Sequence, residues 1–595
     1  PLAQGAEQVE VPFSKLLELD GLPPSKRWSR SAVDGLRIPL GLDGAGRVVS
    51  LAVDNEVGAI GAQHALLAGA TSMGKSTLLH TLVTAGTLAY PPEELELYLV
   101  DLRAGVEFIT YAEMSLPHAR VIAVDDDPDY GLSVIEGLAG ELADRGKRFR
   151  EAGVANYRDY REKTRTPLPR VLLIVDEFQV LFPSSDAALT TRAATLLEHL
   201  ARQGRGVGIH LLLCSQTIGR SDALTSTTMD QMRIRIALGC SDADARRLLG
   251  DDNLGPARYT RKGQALYNPA QGLKEHNREF QVALCGASDR TELRTFILDR
   301  ATKDKGARPI PRRAPQVFVG SEPASLPACE PLGALLAEGS WPVPRDEVKG
   351  WLGEPVAMKP PIAASFLPEA GRNLLVVTRE EEQAMGVLFA ALLSIAAQRG
   401  PEHAAFVVLD LSRAGTAWAG LAERVKAALP HSVEVGASRH LPHLLKTLAA
   451  LLEKRVAADR ALPLHVYWLV LGLHRARALH DPGHLADPSE ESRQMLEILK
   501  RGPELGMHVL AWCDSVRNLG SVRDAAEEMR LRVAGPMEEG DSSRLIDSPA
   551  ASRLKANRMV YVDRDDPDTM LQFRPYALPD ADWIAASLGR LKSRA

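Results

Sequence analysis

Several absences narrow the sequence before any motif is read. No apolar run reaches the roughly 18 residues that a membrane span needs, and no secretory leader is visible. The five cysteines, Cys214, Cys240, Cys285, Cys329 and Cys513, are scattered, without a C-x-x-C pair. That pattern excludes a disulfide framework and a structural zinc site, and it reads as small apolar residues on strands in a reducing compartment. Basic charge is not in surplus either: 71 Lys and Arg face 76 Asp and Glu, for a formal net charge of -5. This argues against a polybasic surface that coats nucleic acid, so any polyanion must be held by local basic loops. Together these absences read as a cytoplasmic chain with no membrane contact in this segment. The chain opens with Pro1 rather than a methionine, which leaves room for an anchor upstream.

What is present is an ordinary globular composition, 45% hydrophobic and 25% charged over 595 residues, enough for two to four domains. From about residue 35, short Leu-rich or β-branched runs alternate with longer helical patterns, the signature of a mainly parallel sheet covered by helices. The expected strands are "HALLAGA", "LELYLVDL", "RVIAVD", "RVLLIVDEF", "GIHLLLCSQ" and "IRIALG", near-continuous apolar runs of the kind that is buried on both faces. "PSSDAALTTRAATLLEHLARQGRG" predicts a helix with its N-cap at Ser185 or Asp186 and its end near Gly204. Residues 303–345 are rich in proline and read as a linker, with room for a short strand at "QVFVG".

Beyond that linker the first domain is repeated. "AAFVVLDLSRAG" answers "LELYLVDLRAG", "LGMHVLAWCDS" answers "VGIHLLLCSQ", and "MRLRVAG" answers "MRIRIALG", in the same order and at similar spacing.

"LLAGATSMGKSTLL" carries the clearest chemistry. Gly69, Ala70, Thr71, Ser72, Met73, Gly74, Lys75 and Ser76 satisfy G-x-x-x-x-G-K-[ST] between an expected strand and a helix that runs on through Thr77. Glycines let backbone N–H groups turn onto a phosphate at a helix N-terminus, where the dipole favours negative charge. Lys75 then reaches the β- and γ-phosphates of ATP, and Ser76 offers a hydroxyl to Mg²⁺. "RVLLIVDEF" delivers Asp176 and Glu177 to a strand end, Asp176 to hold the magnesium and Glu177 to polarise the attacking water. Gln216, ending the next strand, is placed to sense the γ-phosphate. Arg205, in "RQGRGVGIH", is the expected arginine supplied to a neighbouring subunit, with Arg233 and Arg235 as rivals.

"GATSMGKS", "VDLRAG", "LLIVDEF", "QGRGVGIHLLLCSQ" and "MRIRIALG" together resemble the FtsK/SpoIIIE branch of the additional-strand ATPases. The opening, "FSKLLELDGLPPSKRWSRSAVDGLRIPLGLDGAGRVVSLAVD", is similar to the lead-in of type VII secretion EccC modules, tandem members of that family that move protein. The resemblance implies an α/β fold of tandem RecA-like P-loop domains, with mainly parallel sheets covered by helices; the residues of the second domain, compared below, read it as degenerate. It also implies ATP hydrolysis with Mg²⁺, a homo-oligomeric, usually hexameric ring, and accessory proteins. The expected organisation is a helical lead-in over 1–34, an active ATPase domain over 35–302, the linker, and a pseudo-ATPase domain over 346–595. Family loops commonly read G-x-x-G-S-G-K-S, so Ser72 replaces a glycine and Met73 a serine. The open question is whether Ser72 can take a glycine's backbone angles.

Overlaying the repeat without a gap sets Val377, Glu382, Gln383 and Ala384 over Gly69, Gly74, Lys75 and Ser76. Leu471 and Gly472 then replace the acid pair, Asp514 replaces Gln216, and Pro503 replaces Arg205. For the cargo, the favoured expectation is double-stranded DNA. Arg158, Arg161, Lys163 and Arg165, interleaved with Tyr157 and Tyr160, track its phosphates, and Arg220 adds a second loop. The alternative is an EccC-like ATPase moving protein, and a third reading is a scaffold in which nucleotide only sets assembly.

Overall fold

The computed structural model describes residues 10–54, 63–103, 107–218, 224–303, 315–320, 322–413, 415–458, 463–480, 488–519 and 523–594. The chain divides into two compact units, Pro1–Gly320 and Ser321–Ala595.

In the first unit the strands Ala119–Val124, Leu95–Asp101, Arg170–Asp176, Ile209–Ser215, Ala65–Ala68 and Ile234–Leu238 lie side by side in that order, all parallel. Each falls on a run that reads as a strand in the sequence. Arg170–Asp176 and Ile209–Ser215 are buried at every position, as strands covered on both faces must be. The sheet continues antiparallel through Gln264–Asn268, Arg278–Leu284, Leu36–Asp43 and Val48–Val53. The helix Lys75–Ala89 packs Leu78 and Leu82 into one buried cluster with Leu67, Leu99, Ile174 and Leu212 from the sheet. The helix Ala187–Gln203 starts where expected, with the Asp186 carboxylate accepting from the Leu189 N–H at 2.9 Å, and stops at Gly204.

The second unit repeats this order strand for strand. Ser432–Gly436, Ala404–Asp410, His465–Leu471, Met507–Cys513, Leu374–Val377 and Leu531–Ala534 are parallel. Met559–Asp563, Asp566–Ala577, Val348–Pro355 and Ile362–Phe366 then extend the sheet antiparallel. The internal repeat is therefore a repeat of topology, two mostly parallel sheets covered by helices.

Three sequence expectations need correction. The lead-in is not only helical: Val11–Pro12 pairs with Arg278–Leu284, and Phe13, Leu16 and Leu17 of the helix Phe13–Leu19 are buried in the first unit's core. The proline-rich stretch is not a linker throughout. Gln316–Val319 is the short strand for which "QVFVG" left room, an edge strand beside Ala119–Val124 where Phe318 stacks on Tyr130 at 3.7 Å. From Ala324 on, Leu326, Cys329, Leu332 and Leu336 are buried in the second unit's core, because the four-residue spacing of Leu332 and Leu336 puts both on one face of the helix Glu330–Ala337. Finally, strand register sets Val377 beside Cys513 as Ala68 sits beside Ser215, so Thr378, not Val377, matches Gly69.

Cys214, Cys285, Cys329 and Cys513 are buried and Cys240 is half-buried, all as free thiols. Among the described residues, no helix is long and apolar enough to cross a membrane.

Candidate active site

The loop Gly69–Gly74 springs from the strand Ala65–Ala68 and is pinned from three sides. The Gly69 N–H donates to Ser215 O at 3.3 Å, the Ala70 N–H to Gly239 O at 2.8 Å, and Met73 O accepts from the Gly263 N–H at 2.9 Å. Gly74 has φ 105°, and a Cβ there would lie 3.1 Å from Gly263 N, so glycine is required twice over. Ser72 has φ 68°, the left-handed region that glycine takes freely. The serine thus adopts a conformation that favours glycine, at a strain of about 1–2 kcal/mol. Met73 has a packing role: a Cβ on Gly239 would come within 2.3 Å of its Cε, and it lies against the buried core. The unusual Ser-Met pair therefore keeps the turn and closes its underside.

Lys75, the first residue of the helix, turns its ammonium onto the end of the strand Arg170–Asp176. It donates to Asp176 Oδ1 and, at 2.7 Å, to Glu177 Oε1. All three are buried, at 7%, 6% and 3% exposure. Burial works against the charged amine, but the charge and hydrogen bonds of Asp176, joined by the hydrogen bond to Glu177, together outweigh it and hold the Lys75 pKa above its usual value. Burial raises the carboxyl of Asp176 despite Lys75. For Glu177, burial is overcome by hydrogen bonds from Lys75 and Gln179, and its pKa is lowered. The Gln179 amide donates to Glu177 Oε2 at 2.6 Å, and Arg103 Nη1 stands 3.8 Å from Oε1. Glu177 itself is left-handed, φ 54°, where the repeat has Gly472 at φ 110°.

Gln216 ties the two halves of the site together. Its N–H donates to Glu177 Oε2 at 3.3 Å, and its side-chain Oε1 accepts from Thr71 Oγ1 of the loop at 2.9 Å. The Glu107 carboxylate accepts from His80 Nε2 at 3.1 Å, and that hydrogen bond, with Ser76 nearby, holds its pKa below the usual value. Sequence reasoning assigned no role to Asp101, Arg103 or Glu107. Asp101 and Arg103 lie in the quoted "VDLRAG", and Asp101 sits level with Asp176 on the adjacent strand. Burial pushes the Asp101 carboxyl up to about 6, with Asp176 adding to the rise. The buried Asp101 Oδ2 has no hydrogen-bond partner. The Ser76 hydroxyl and the Asp176 carboxylate are oxygen donors of the kind a hard cation such as Mg²⁺ takes.

Arg205 is not brought into this site. It precedes the strand Ile209–Ser215, whose seven residues carry the chain roughly 20 Å to the Gln216 end. Its Nε donates to Asp54 Oδ1 at 3.0 Å, while the buried Arg170 holds Asp54 Oδ2 at 2.8 Å, beside a cavity of about 270 Å³. Of its rivals, Arg235 is 5% exposed and committed to Met229 O at 2.6 Å, and burial lowers its pKa to about 10. Arg233 is exposed.

The basic segment departs from its expected role. Arg161 is an internal strut, 10% exposed in its side chain, bonded to Glu94 at 2.5 Å and to Leu168 O at 2.8 Å. Tyr157 is buried beneath Arg170, and Tyr160 is half-buried and stacks on Phe149. Arg158 pairs with Asp34 and Glu162 at 3.3 and 3.0 Å; Lys163 and Arg165 are exposed. Arg220 lies outside the described residues.

The matching corner of the second unit is built differently. Six residues, Gly69–Gly74, join strand to helix in the first unit; three, Thr378–Glu380, do so in the second. The helix there begins with Glu381, which accepts from Arg475 Nη2 at 2.7 Å, and Arg475 lies over Trp512 at 5.1 Å. The ion pair between helix start and sheet end survives with its polarity reversed. A cavity of about 430 Å³ opens beside it.

Residues 24–220 match the model of the FtsK/SpoIIIE family. The chain is 32% identical over 253 residues to the ESX secretion system protein EccC of Thermomonospora curvata, a match covering 39% of this chain and 19% of that protein. It is 29% identical over 270 residues to the DNA translocase FtsK of Caldanaerobacter subterraneus subsp. tengcongensis, covering 45% of this chain and 36% of the other. Its fold matches that of the cytoplasmic domain of the Thermomonospora curvata type VII secretion ATPase EccC with a TM-score of 0.65 at 22% identity, over 98% of this chain and 70% of that one. The matched sequence spans about a fifth of the first of these relatives, 19% of its length. Residues 24–220 are accordingly an FtsK/SpoIIIE-family domain, set in a chain with the tandem fold of EccC.

Proposed function

We propose that the first unit hydrolyses ATP and that the chain is a motor module of the EccC type, acting on protein. The observation that carries the first half is the meeting of Lys75 with Asp176 and Glu177 at the mouth of the pinned loop. Phosphates entering that loop meet backbone N–H groups and draw Lys75 away from the acids. Glu177, its carboxylate freed and still held by Gln179, accepts a proton from the attacking water. Gln216, bonded to both Thr71 and Glu177, couples the loop to the base. Ser76 and Asp176 would hold Mg²⁺, whose charge offsets that of the phosphates. Arg205, at the other end of the sheet, serves the site of a neighbouring copy in a ring. The second unit, with its shortened loop and reversed ion pair, does not hydrolyse ATP.

The protein cargo rests on the greater likeness to EccC than to FtsK in sequence, and on a fold shared over nearly the whole chain. The DNA reading keeps the FtsK relative as support and loses one of its expected contacts, Arg161. ATP turnover measured with linear double-stranded DNA and, separately, with protein substrates tests the choice. Stimulation by DNA alone reverses it, and absence of any turnover removes the motor.

A further inference from the structure

Arg205 is held more firmly than an exposed arginine ordinarily is. It lies in the turn Gly204–Val207, whose backbone is tied down: the Gly208 N–H donates to Arg205 O at 3.1 Å, and Arg145 Nη1 to Val207 O at 3.0 Å. Its side chain, 47% exposed, would otherwise sample many rotamers. Asp54 removes that freedom with a carboxylate engaged on both sides. Oδ1 accepts from Arg205 Nε at 3.0 Å, and Oδ2 accepts from Arg170 Nη1 at 2.8 Å. Arg170 is itself fixed in the core, with Nε donating to Ala32 O at 2.5 Å, Nη2 to Val33 O at 2.9 Å, and its guanidinium over the Tyr157 ring. The Asp54 backbone is left-handed, φ 53°, a conformation in which aspartate is one of the few common residues besides glycine. Because Asp54 takes the Nε hydrogen, both Nη groups of Arg205 stay available; among the described residues neither has a hydrogen-bond partner.

The second unit supplies an internal comparison. Its turn is kept: Gly502 and Gly506 stand at the places of Gly204 and Gly208, Gly506 has φ 73° against 77°, and Arg455 Nη1 donates to Leu505 O at 2.5 Å as Arg145 does to Val207 O. The charged chain is not kept. Pro503 replaces Arg205, and His465 replaces Arg170 at the first position of the matching strand. In the unit with the shortened loop, both arginines of the chain are gone, while the arginine that braces the turn remains. The chain Arg170–Asp54–Arg205 thus goes with the phosphate loop and not with the fold. We propose that Asp54 is the positioning residue for Arg205: anchored by Arg170, it holds Nε and aims the two Nη groups outward, toward the nucleotide of a neighbouring copy. This rests on the reading of Arg205 as an arginine supplied in trans. Preorganised donors stabilise the charge that develops on the transferring phosphoryl group, and a displacement of about 1 Å costs about 10²-fold in rate.

The test uses the full chain. ATP turnover gives kcat and KM, and a fluorescent ADP with aluminium fluoride, a mimic of the transferring phosphoryl group, gives affinity without turnover. Asp54→Ala is expected to lower kcat about 10²-fold with KM kept, and to lose the tightening that aluminium fluoride gives the wild type. Arg205→Ala should show the same loss, and the double variant no more than Arg205→Ala alone. Mixed with Lys75→Ala, Asp54→Ala should regain activity as Arg205→Ala does, because both lesions sit on the subunit that lends the arginine. A wild type without turnover overturns the reading this rests on, as does wild-type turnover in Arg205→Ala or an Arg205→Ala that Lys75→Ala does not complement. With that reading intact, unchanged kcat in Asp54→Ala overturns the role of Asp54 alone. So does faster turnover, full additivity with Arg205→Ala, or failure to complement Lys75→Ala. If Asp54→Ala does not fold, Asp54→Asn keeps the space with one acceptor oxygen for two guanidinium groups, and is read in the same way.

Discussion

Lys75 Nζ lies 2.7 Å from Glu177 Oε1, so the loop lysine is bound to the carboxylate that would serve as base. ATP and Glu177 therefore compete for one ammonium group. Glu177→Gln, a weaker competitor, should bind nucleotide at least as tightly as the wild type and turn it over about 10²–10⁴-fold more slowly. Lys75→Ala should reduce the whole chain to background. Binding and single-turnover measurements check both; wild-type turnover in Lys75→Ala would place the active site elsewhere in the chain.

Arg205 and Lys75 stand at opposite ends of the same sheet, so the arginine acts on another copy or on none. Arg205→Ala should lower turnover about 10³-fold with ATP affinity kept. Mixed with Lys75→Ala, an equally inactive variant, it should regain a measurable fraction of activity, since some interfaces then pair an intact loop with an intact arginine. Mixtures as inactive as their components would exclude action in trans.

Asp101, whose carboxyl is raised to about 6 by burial, gives a pH signature. A carboxyl with a raised folded-state pKa favours the fold while it is protonated, and that contribution is lost as pH rises from about 4 through 6. Asp101→Asn has no such titration. Its urea midpoint relative to wild type should climb across that window and level off above it; a flat difference between pH 4.5 and 7.5 would remove the effect.

Arg161→Ala separates a strut from a DNA contact. Breaking its largely buried pair with Glu94 should destabilise the first unit by about 3 kcal/mol. The exposed Lys163→Ala should stay within about 0.5 kcal/mol of wild type. Urea unfolding distinguishes them, and an Arg161→Ala protein of wild-type stability would return that arginine to the pool of surface contacts.

The strands and the loop were legible because their signals are local. A run such as "RVLLIVDEF" announces a buried strand and carries Asp176 and Glu177 to its end within nine letters. The partnership of Arg161 with Glu94 spans 67 residues, and nothing local distinguishes that arginine from Arg158 or Lys163. The burial of Leu332 and Leu336 was hidden by the prolines around them. Glu107 lacked any motif of its own, since its partner His80 lies 27 residues away in the chain. The gap-free overlay of the repeat failed for another reason: apolar strands align well enough to conceal a missing stretch of turn. The exchange of Lys75 for Glu381 at the helix start emerges only from the register of the strands on either side.

That missing stretch sets a direction in time. A site silenced by side-chain changes can be revived one codon at a time, each step leaving the backbone where it was. With Thr378–Glu380 standing where Gly69–Gly74 stands in the other copy, no set of single-letter changes recreates the enclosure, because the chain itself is too short to wrap a phosphate. Point mutation alone therefore cannot turn this corner into the loop of the first unit, whatever side chains stand around Glu381 and Arg475.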